Sequence, residues 1–547
     1  MENYKIILFL CNWSPHSAFQ RLTDIGQEIP AQINMIRIPC TGRISKALLF
    51  KAFEMGADGV ALAGCTPGTC RYGSGTKNAV KNTDAARDIL DLMGLGRERM
   101  RLATFLPDET EQMHQFLTEF TADLKAMGKS PITGARDPDS PEDPQQSFAR
   151  QSVAQQSIAQ QSIAPTIAQI IERYDAFACQ DCGKCTSSCP LALMGKEFSP
   201  RAMVTALMAG DSISETIKEN IWSCLTCGVC YSRCPSQVNF PELIQEVRGV
   251  IPREITGQNR LTHGGFFQSL MRAMTHPNIQ QKRWTTLPEE IRTDENSRVL
   301  FHGGCTPYFD IFFKNHHGVK NTDILENALK LLNFFDVTPR VLENERCCGH
   351  DLLWSGDKSN FLKLANLNRD ILNDSGIDEM ITACPECYRT FAHDYPKNGI
   401  DLNFKITHLY EFLEKEIDRA AVTFDGPDEP FTFQDACRFK ELEEIQELPR
   451  KLIARFDKGN FTEMPDIKDG AICCGNSAWT GCDAFSKALQ VKRINQAKKI
   501  GSRFMITACP KCRIHLGCAM EDPFAGGELK MELVDLTNII AKHICWE

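Results

Sequence analysis

The chain has 547 residues, of which 25 are cysteine, and a formal net charge of -9 at pH 7. This length allows about three or four domains and excludes a small disulfide-stapled secreted scaffold, and the lack of a basic run argues against a nucleic-acid partner. No stretch approaches the roughly 20 apolar residues that span a bilayer, so we expect a cytoplasmic protein with no direct membrane span.

The first predicted domain covers residues 1–130 and is expected to be α/β. The apolar run at residues 6–10 is too short for a signal-peptide core and predicts a buried strand. A second strand followed by a loop is predicted in DGVALAGCTPGTC. The domain contains four cysteines, which are Cys11, Cys40, Cys65 and Cys70.

The segments around these cysteines resemble the delta subunit of methyl-viologen-reducing hydrogenase, and the likeness covers most of this domain. The resemblance implies one [2Fe-2S] cluster and a connection between a hydrogenase or formate dehydrogenase and a flavoprotein similar to the A subunit of heterodisulfide reductase. Ser14 stands where relatives often carry a further cysteine. The four remaining cysteines are the number that one such cluster needs, and a disulfide pair is the alternative.

Residues 131–168 are predicted to form a flexible linker. A Pro/Asp/Ser stretch is followed by the five-residue repeat QSVAQ, QSIAQ and QSIAP, which is poor in large apolar residues. A short surface helix is the alternative for the Gln/Ala part. In both cases the segment separates the first domain from the next one.

Residues 169–292 contain two copies of the spacing Cys-x-x-Cys-x-x-Cys-x-x-x-Cys-Pro, and we expect a mainly α-helical domain. This spacing is typical of a ferredoxin with two cubane [4Fe-4S] clusters, in which the last cysteine of each run usually ligates the other cluster. Zinc or disulfides are the disfavoured alternative, because zinc takes two separated pairs of ligands and leaves the close third cysteine without a role. The predicted ligands are Cys179, Cys182, Cys185 and Cys234 for one cluster, and Cys224, Cys227, Cys230 and Cys189 for the other.

The rest of the chain is an internal duplication, with predicted domains at residues 297–426 and 427–547. MITACPEC in the first copy recurs as MITACPKC in the second, and each copy has one Cys-Cys-Gly. Short apolar strands alternate with amphipathic helices, which predicts a parallel α/β sheet in each copy with cysteines on the loops at the strand ends. Strands are expected in VLFHGGC, PRVLE and EMITAC, and again in FTFQDAC and RFMITAC.

Each copy supplies a lone cysteine, an adjacent pair followed by glycine, and a Cys-x-x-Cys. These are Cys305, Cys347, Cys348, Cys384 and Cys387 in the first copy, and Cys437, Cys473, Cys474, Cys509 and Cys512 in the second. The pattern resembles the CCG domain in the B subunit of heterodisulfide reductase, in which a complete set binds a noncubane [4Fe-4S] cluster. A fifth thiolate is one more than a cubane or zinc needs, and a glycine turn lets adjacent cysteines serve an asymmetric cluster. Structural zinc or a redox Cys-x-x-Cys pair is the alternative.

Residues 170–290 resemble the C subunit of heterodisulfide reductase, and residues 297–547 resemble its B subunit. The resemblance implies an oxidoreductase within an electron-bifurcating complex, in which electrons from a flavoprotein cleave a disulfide between two noncubane clusters. All ten cysteines of the duplicated domains are then catalytic as well as ligating. The alternative is an electron-transfer adaptor that relays electrons to or from another redox protein, such as a dehydrogenase or a sulfur-carrier protein.

A few features lie outside these sets. Cys482, Cys518 and Cys545 are interpreted as packing residues. His350 directly follows Cys-Cys-Gly and is either a donor to a cluster sulfur, a proton source for a released thiol or, as is more common, a structural residue. No Gly-x-Gly-x-x-Gly follows a strand with the acidic residue expected downstream, so no flavin is expected on this chain.

Overall fold

The structure is a computed structural model that describes residues 4–132, 165–211, 214–251, 261–285, 287–314, 320–440, 442–524 and 526–546. Most of the predicted linker, residues 133–164, lies outside these ranges. Three parallel sheets organise the described chain, one with four strands and two with three. None of the helices in these ranges is long and apolar enough to cross a membrane.

The N-terminal domain is α/β, as predicted, with a parallel sheet in the order β2-β1-β3-β4. Its strands are β1 (Ile6–Cys11), β2 (Ile33–Ile38), β3 (Gly59–Cys65) and β4 (Met100–Phe105). Its helices are α1 (Ser14–Asp24), α2 (Lys46–Glu54), α3 (Gly75–Leu92) and α4 (Thr110–Met127). Val60 and Leu62 of β3 pack into one apolar cluster and Ala61 and Ala63 into another, because side chains alternate between the two faces of a central strand.

The segment with the two cysteine-rich runs consists of short helices and loops, and its described residues between 165 and 285 form no strand. The helices are α5 (Ile167–Arg173), α6 (Lys184–Ser187), α7 (Pro190–Leu193), α8 (Pro200–Met208), α9 (Glu215–Asn220), α10 (Val229–Ser232), α11 (Phe240–Val250) and α12 (Phe266–Ala273). Thr166 begins α5 with a reciprocal capping box to Gln169. The third cysteine of each run lies on a one-turn helix, α6 or α10, which is too short to be stable without tertiary contacts.

The two duplicated halves have matching three-stranded parallel sheets. The strands of the first half are β5 (Val299–His302), β6 (Glu379–Thr382) and β7 (Lys405–His408), in the order β5-β6-β7. Those of the second half are β8 (Phe431–Gln434), β9 (Phe504–Thr507) and β10 (Glu532–Asp535), in the order β10-β9-β8. In both halves the middle strand leads directly into Cys-x-x-Cys, so this motif starts from a buried central strand.

The helices of the two halves surround these small sheets. Those of the first half are α13 (Thr306–Phe313), α14 (Thr322–Phe334), α15 (His350–Trp354), α16 (Lys358–Asn373), α17 (Pro385–Arg389), α18 (Tyr395–Lys397) and α19 (Leu409–Ala420). Those of the second half are α20 (Glu443–Gln446), α21 (Leu448–Phe456), α22 (Ala484–Lys499), α23 (Pro510–Met520), α24 (Gly526–Leu529) and α25 (Leu536–His543).

The strand expected in PRVLE is wrong. Arg340 makes only an isolated bridge to Leu300. The run begins with a proline, which has no backbone N–H to donate to a ladder. The third strand of each sheet instead follows the Cys-x-x-Cys motif, as β7 and β10, where the sequence analysis predicts none.

The N-terminal domain packs directly against the rest of the chain, through contacts of α2 with α12 and of α3 with α13. Phe50 of α2 and Phe266 of α12 belong to one apolar cluster, with ring centroids 5.4 Å apart. Arg272 of α12 donates to Glu54 at 2.6 Å and to Asp357 at 3.3 Å; the two carboxylates are buried and Arg272 is largely covered. Because buried charges are tolerated only when paired, this interface has a defined geometry.

Candidate iron–sulfur sites

The four N-terminal cysteines converge at the carboxyl ends of parallel strands. Cys11 and Cys65 end β1 and β3, and their Sγ atoms are 3.6 Å apart. Cys40 follows β2, and Cys70 lies in the loop after β3. Gly75 opens α3 beside them: a Cβ there would lie 2.7 Å from Cys40 Sγ and 2.8 Å from Cys70 Sγ, so only glycine leaves room for both sulfurs.

The surroundings of this site favour the thiolate, the form that iron binds, at two of the four cysteines, whereas burial raises the pKa of Cys40 and the hydrogen bond with Cys11 raises that of Cys65. The hydrogen bond with Cys65 lowers the pKa of Cys11 below its usual value. Burial opposes the ionisation of Cys70, but backbone N–H groups, first among them that of Tyr72, hold its pKa below the usual value. Ser14 hydrogen-bonds to Cys65. Four free sulfur donors in this setting fit a small iron–sulfur cluster.

The eight cysteines of the two runs line two cavities, and each cavity takes three cysteines from one run and one from the other. The empty volumes are about 290 Å³ and 330 Å³. The cavity of 290 Å³, the outer cavity, is lined by Cys179, Cys182, Cys185 and Cys234. The cavity of 330 Å³, the inner cavity, is lined by Cys224, Cys227, Cys230 and Cys189. These are the same groups that the spacing predicts, and four sulfurs around a compact space fit a cubane.

The two cavities differ in exposure. Cys182 of the outer cavity is exposed, whereas Cys189, Cys224 and Cys227 of the inner cavity are buried. Burial raises the pKa of Cys189 to about 12 and that of Cys230 well above its usual value. Burial in the inner cavity therefore opposes the ionisation of these thiols, whereas the outer cavity lies open to an approaching partner.

Each duplicated half gathers its five cysteines into one chain of sulfur contacts. In the first half, Cys305 and Cys347 have Sγ atoms 2.7 Å apart. The contacts continue in the order Cys347, Cys348, Cys387 and Cys384. In the second half the equivalent order is Cys437, Cys473, Cys474, Cys512 and Cys509. Five contacting sulfurs exceed the four ligands of zinc and fit a noncubane cluster.

The glycine that follows each adjacent pair turns the backbone. Gly349 has a φ of 88° and Gly475 a φ of 92°, which is the left-handed region that favours glycine. A Cβ on Gly475 would lie 2.5 Å from the carbonyl oxygen of Ser486. The turn therefore requires glycine, and it directs the two neighbouring thiols into one set.

The two five-cysteine sets face each other across the boundary between the halves. Cys384 of the first half and Cys509 of the second lie close enough for their charges to interact. Glu386 and Lys511 occupy equivalent positions inside the two Cys-x-x-Cys motifs and form an ion pair of 2.6 Å across this boundary. Lys511 also pairs with Asp351 at 2.5 Å.

These charges are buried, and each depends on the other. Burial by itself raises the pKa of Asp351, but Lys511 and His350 together outweigh it and lower that pKa below the usual range. Burial likewise opposes the charge on Lys511, and Asp351 and Glu386 raise the pKa of Lys511 well above its usual value. The boundary between the halves therefore holds ionised side chains at neutral pH.

Arg438 joins both halves to the dicluster region. Its Nε donates to His350 Nε2 at 2.9 Å, its Nη1 to the carbonyl oxygen of Thr226 at 2.9 Å, and its Nη2 to Ser477 Oγ at 2.9 Å. The guanidinium carbon lies 3.8 Å from the centroid of the Trp354 ring. A single planar cation thus fixes three segments that are far apart in the sequence.

The inner cavity adjoins the second five-cysteine set. Cys227, which lines that cavity, interacts electrostatically with Cys473 of the second half. Buried Arg248 donates to the carbonyl oxygens of Cys224, at 2.7 Å, and of Trp354, at 2.9 Å. The predicted cubane and noncubane sites are therefore neighbours in the fold.

Sequence reasoning missed the charged residues at this boundary. Asp351, Glu386, Arg438 and Lys511 all lie within three residues of a predicted ligand, which is the only signal that the sequence offers. Charged residues are normally exposed, and only the fold shows that these are buried. His350, which the sequence does indicate, belongs to the same group, because its Nδ1 lies 2.8 Å from Asp351.

The packing interpretation of the remaining cysteines is wrong for two of them. Cys482 and Cys545 are exposed, so neither fills a core. Cys518 is half-buried, and its sulfur accepts a hydrogen bond from Lys487 Nζ at 3.1 Å.

The fold and the cysteine sites define an iron–sulfur protein of the oxidoreductase type. Residues 6–128 match the family of the methyl-viologen-reducing hydrogenase delta subunit, residues 175–238 match the 4Fe-4S dicluster domain, and residues 299–392 and 431–517 match the cysteine-rich CCG domain. The chain therefore belongs to the hydrogenase delta-subunit family in its N-terminal domain, followed by a dicluster domain and two CCG domains.

Similar proteins are heterodisulfide-reductase-like iron–sulfur proteins. The iron–sulfur D subunit of the vhc F420-non-reducing hydrogenase of Methanococcus voltae is 33% identical over 129 residues, which are 23% of this chain and 90% of that protein. The B subunit of the CoM/CoB fumarate reductase of Methanothermobacter marburgensis is 25% identical over 376 residues, 66% of this chain and 71% of that protein. The A subunit of the ferredoxin:CoB-CoM heterodisulfide reductase of Methanosarcina mazei is 33% identical over 124 residues, 22% of this chain and 16% of that protein.

Proposed function

We propose that the chain is the electron-transfer and catalytic component of a heterodisulfide-reductase-like complex. It carries electrons between a flavoprotein similar to the A subunit of heterodisulfide reductase and a disulfide that is cleaved at the two five-cysteine sets. The N-terminal cysteines hold one [2Fe-2S] cluster, the two cavities hold cubane [4Fe-4S] clusters, and each CCG domain holds a noncubane [4Fe-4S] cluster. A hydrogenase or formate dehydrogenase is the proposed source of electrons.

One observation carries this proposal: two complete five-cysteine sets face each other across a single boundary. When bound, iron–sulfur clusters supply one-electron transfer, whereas a disulfide takes up two electrons and yields two thiolates. Two facing sites deliver one electron to each sulfur. The exposed outer cavity, the buried inner cavity and the neighbouring second set form a continuous route to this boundary.

The buried cations at the boundary suit this chemistry. Lys511 and Arg438 place two cations at the space between the two sets, where Asp351 and Glu386 balance their charge. Disulfide cleavage creates negative charge on both sulfurs, and fixed cations in a buried site stabilise such charge more strongly than water-exposed ones do. In this proposal Lys511 and Arg438 stabilise the two released thiolates.

A second candidate function is a pure electron-transfer adaptor. Asp351, Glu386 and Lys511 are all buried and contact one another in the space between the two sets. Side chains packed in this way favour electron transfer through the boundary over the admission of a small molecule to it. In an adaptor the electrons pass to or from another redox protein.

Iron analysis and single-turnover kinetics test the proposal. Anaerobically prepared protein is expected to hold about 18 iron atoms per chain, and about 10 with stoichiometric zinc contradicts the noncubane sites. Mixing the reduced protein with the coenzyme M–coenzyme B heterodisulfide, or with other small disulfides, is expected to reoxidise the clusters and change the EPR spectrum. If no disulfide does so while a partner flavoprotein drains the electrons quickly, the adaptor function is correct.

A further inference from the structure

The two CCG domains differ at the third residue after their last cysteine. This residue is Thr390 in the first domain and His515 in the second. Both side chains are buried, with exposed fractions of 0% and 5%. The duplication thus provides an internal comparison of two otherwise equivalent thiol sets.

His515 contacts a predicted cluster ligand directly. Its Nδ1 lies 3.2 Å from Cys474 Sγ, and its ring packs edge-on against Trp479 with centroids 5.0 Å apart. In the first domain, Thr390 Oγ1 is buried and has no hydrogen-bond partner among the described residues, so it makes no such contact with Cys348. The side-chain contact to the adjacent pair is therefore a feature of the second domain.

The hydrogen-bond geometry of the site indicates which nitrogen carries the proton. A neutral histidine ring has one N–H, on Nδ1 or on Nε2. Nε2 is buried without a hydrogen-bond partner in the described part of the chain. A proton on Nε2 would bury an unsatisfied donor and direct a lone pair at the sulfur. A proton on Nδ1 directs the N–H at Cys474 Sγ.

A hydrogen bond to a ligating sulfur stabilises the reduced state of a cluster, because reduction adds negative charge that the sulfur shares. We propose that His515 donates such a bond to Cys474 and holds the second noncubane site at a higher reduction potential than the first. Electrons that leave the inner cavity then reside first on the second domain, because Cys473 of that domain lies near Cys227 of the cavity. This inference rests on the proposed noncubane sites, and His515 acts in it as a positioning residue.

The test is an EPR-monitored redox titration of the full chain with its clusters. His515→Leu removes the N–H, His515→Gln retains an amide N–H, and Thr390→Val is the matched change in the first domain. We expect His515→Leu to shift one noncubane midpoint to lower potential and leave the others in place, His515→Gln to reverse part of this shift, and Thr390→Val to move none. Unchanged midpoints in His515→Leu with full iron content overturn the inference.

A second measurement uses the unsubstituted protein, so that it stays informative if His515→Leu loses its cluster. With isotopically labelled histidine nitrogen, pulsed EPR is expected to show a hydrogen-bond coupling to one noncubane signal, whereas His350, whose charge reaches Cys348, gives the other signal at most a weaker through-space coupling. No coupling in either signal refutes the role of His515 and leaves the proposed function standing. Failure to find any noncubane signal in the unsubstituted protein overturns the proposed function itself.

Discussion

The two CCG domains have the same core and thiol arrangement but different surroundings. Both have a three-stranded parallel sheet and the same order of sulfur contacts. After Cys-Cys-Gly they diverge: the first domain begins helix α15, whereas the second forms a loop in which Ala478 and Trp479 have positive φ of 50° and 54°. Duplication has preserved what holds the sulfurs and changed what surrounds them.

The charges at the boundary show the same divergence. The first domain contributes Asp351 and Glu386, and the second contributes Lys511 and Arg438. Equivalent positions in the two Cys-x-x-Cys motifs thus carry opposite charge. The domains are complementary to each other, and this complementarity specifies how they face each other.

The largest expected effect comes from removing one thiolate of each set in turn. Cys348→Ser and Cys474→Ser should each abolish disulfide reduction and lower the iron content by about four atoms per chain. Because the second set adjoins the inner cavity, Cys348→Ser should leave the second noncubane cluster reducible, whereas Cys474→Ser should leave the first one oxidised as well. EPR after reduction with an artificial one-electron donor measures both.

The signals of the dicluster region are the control, and they should stay reducible in both variants. If Cys474→Ser leaves the first noncubane cluster as easily reduced as before, the second domain does not lie between that cluster and the inner cavity.

An intermediate effect is expected from Lys511→Met, which leaves Asp351 and Glu386 buried without their cation. Removing one partner of a buried ion pair costs about 3–5 kcal/mol, so anaerobic calorimetry should show a clearly lower unfolding temperature. Lys542→Met, at an exposed position on α25, is the control and should change little. Equal unfolding temperatures for the two variants would show that the boundary does not depend on this charge.

The loss of stability in Lys511→Met should depend on pH. The folded-state pKa of Asp351 lies below its usual value, so its pairing stabilises the protein above about pH 4, the ordinary range of the carboxyl group, and this contribution is lost as pH falls through the folded-state pKa. In Lys511→Met the acidic side chains become neutral at low pH and the penalty of the unpaired charge disappears. The difference between the two proteins should therefore shrink as pH falls from the raised carboxyl pKa of Asp351 in the variant towards its lowered pKa in the unsubstituted protein. A difference that stays constant with pH contradicts the ionised pair.

The smallest effect is expected from cutting the linker near Gln155. The N-terminal domain contacts the first CCG domain through α3 and α13. It is therefore part of what surrounds that domain in the comparison of the two CCG domains. Both pieces should stay folded and elute together in gel filtration, because the buried pair of Arg272 and Glu54 and the apolar cluster around Phe50 lie outside the linker. Arg272→Met should weaken this association.

Loss of clusters from the cut protein would show that the linker has more than a connecting role. If the two pieces of the cut protein elute separately while Arg272 is unchanged, the interface is weaker than its buried ion pair indicates.

The sequence by itself determined which cysteine sets this protein has and which segments carry them. Cysteine spacing is a local property, and a run such as Cys179 to Cys185 brings three sulfurs within reach of one cluster whatever the distant chain does. The duplication, the α/β character of the N-terminal domain and the strand before each Cys-x-x-Cys are likewise readable, because apolar periodicity and repeated motifs belong to short segments.

Only the tertiary structure decided how these parts face each other. PRVLE carries a strand-like pattern but finds no ladder partner beyond Leu300, whereas β7 and β10 become strands because a neighbouring strand pairs with them. Lys511 and Asp351 are ordinary charged residues in the sequence, and His515 is one histidine among 12. They become a buried ion pair and a contact to Cys474 because segments 41 to 160 residues apart meet. Burial and pairing are properties of the whole fold, and no local pattern records them.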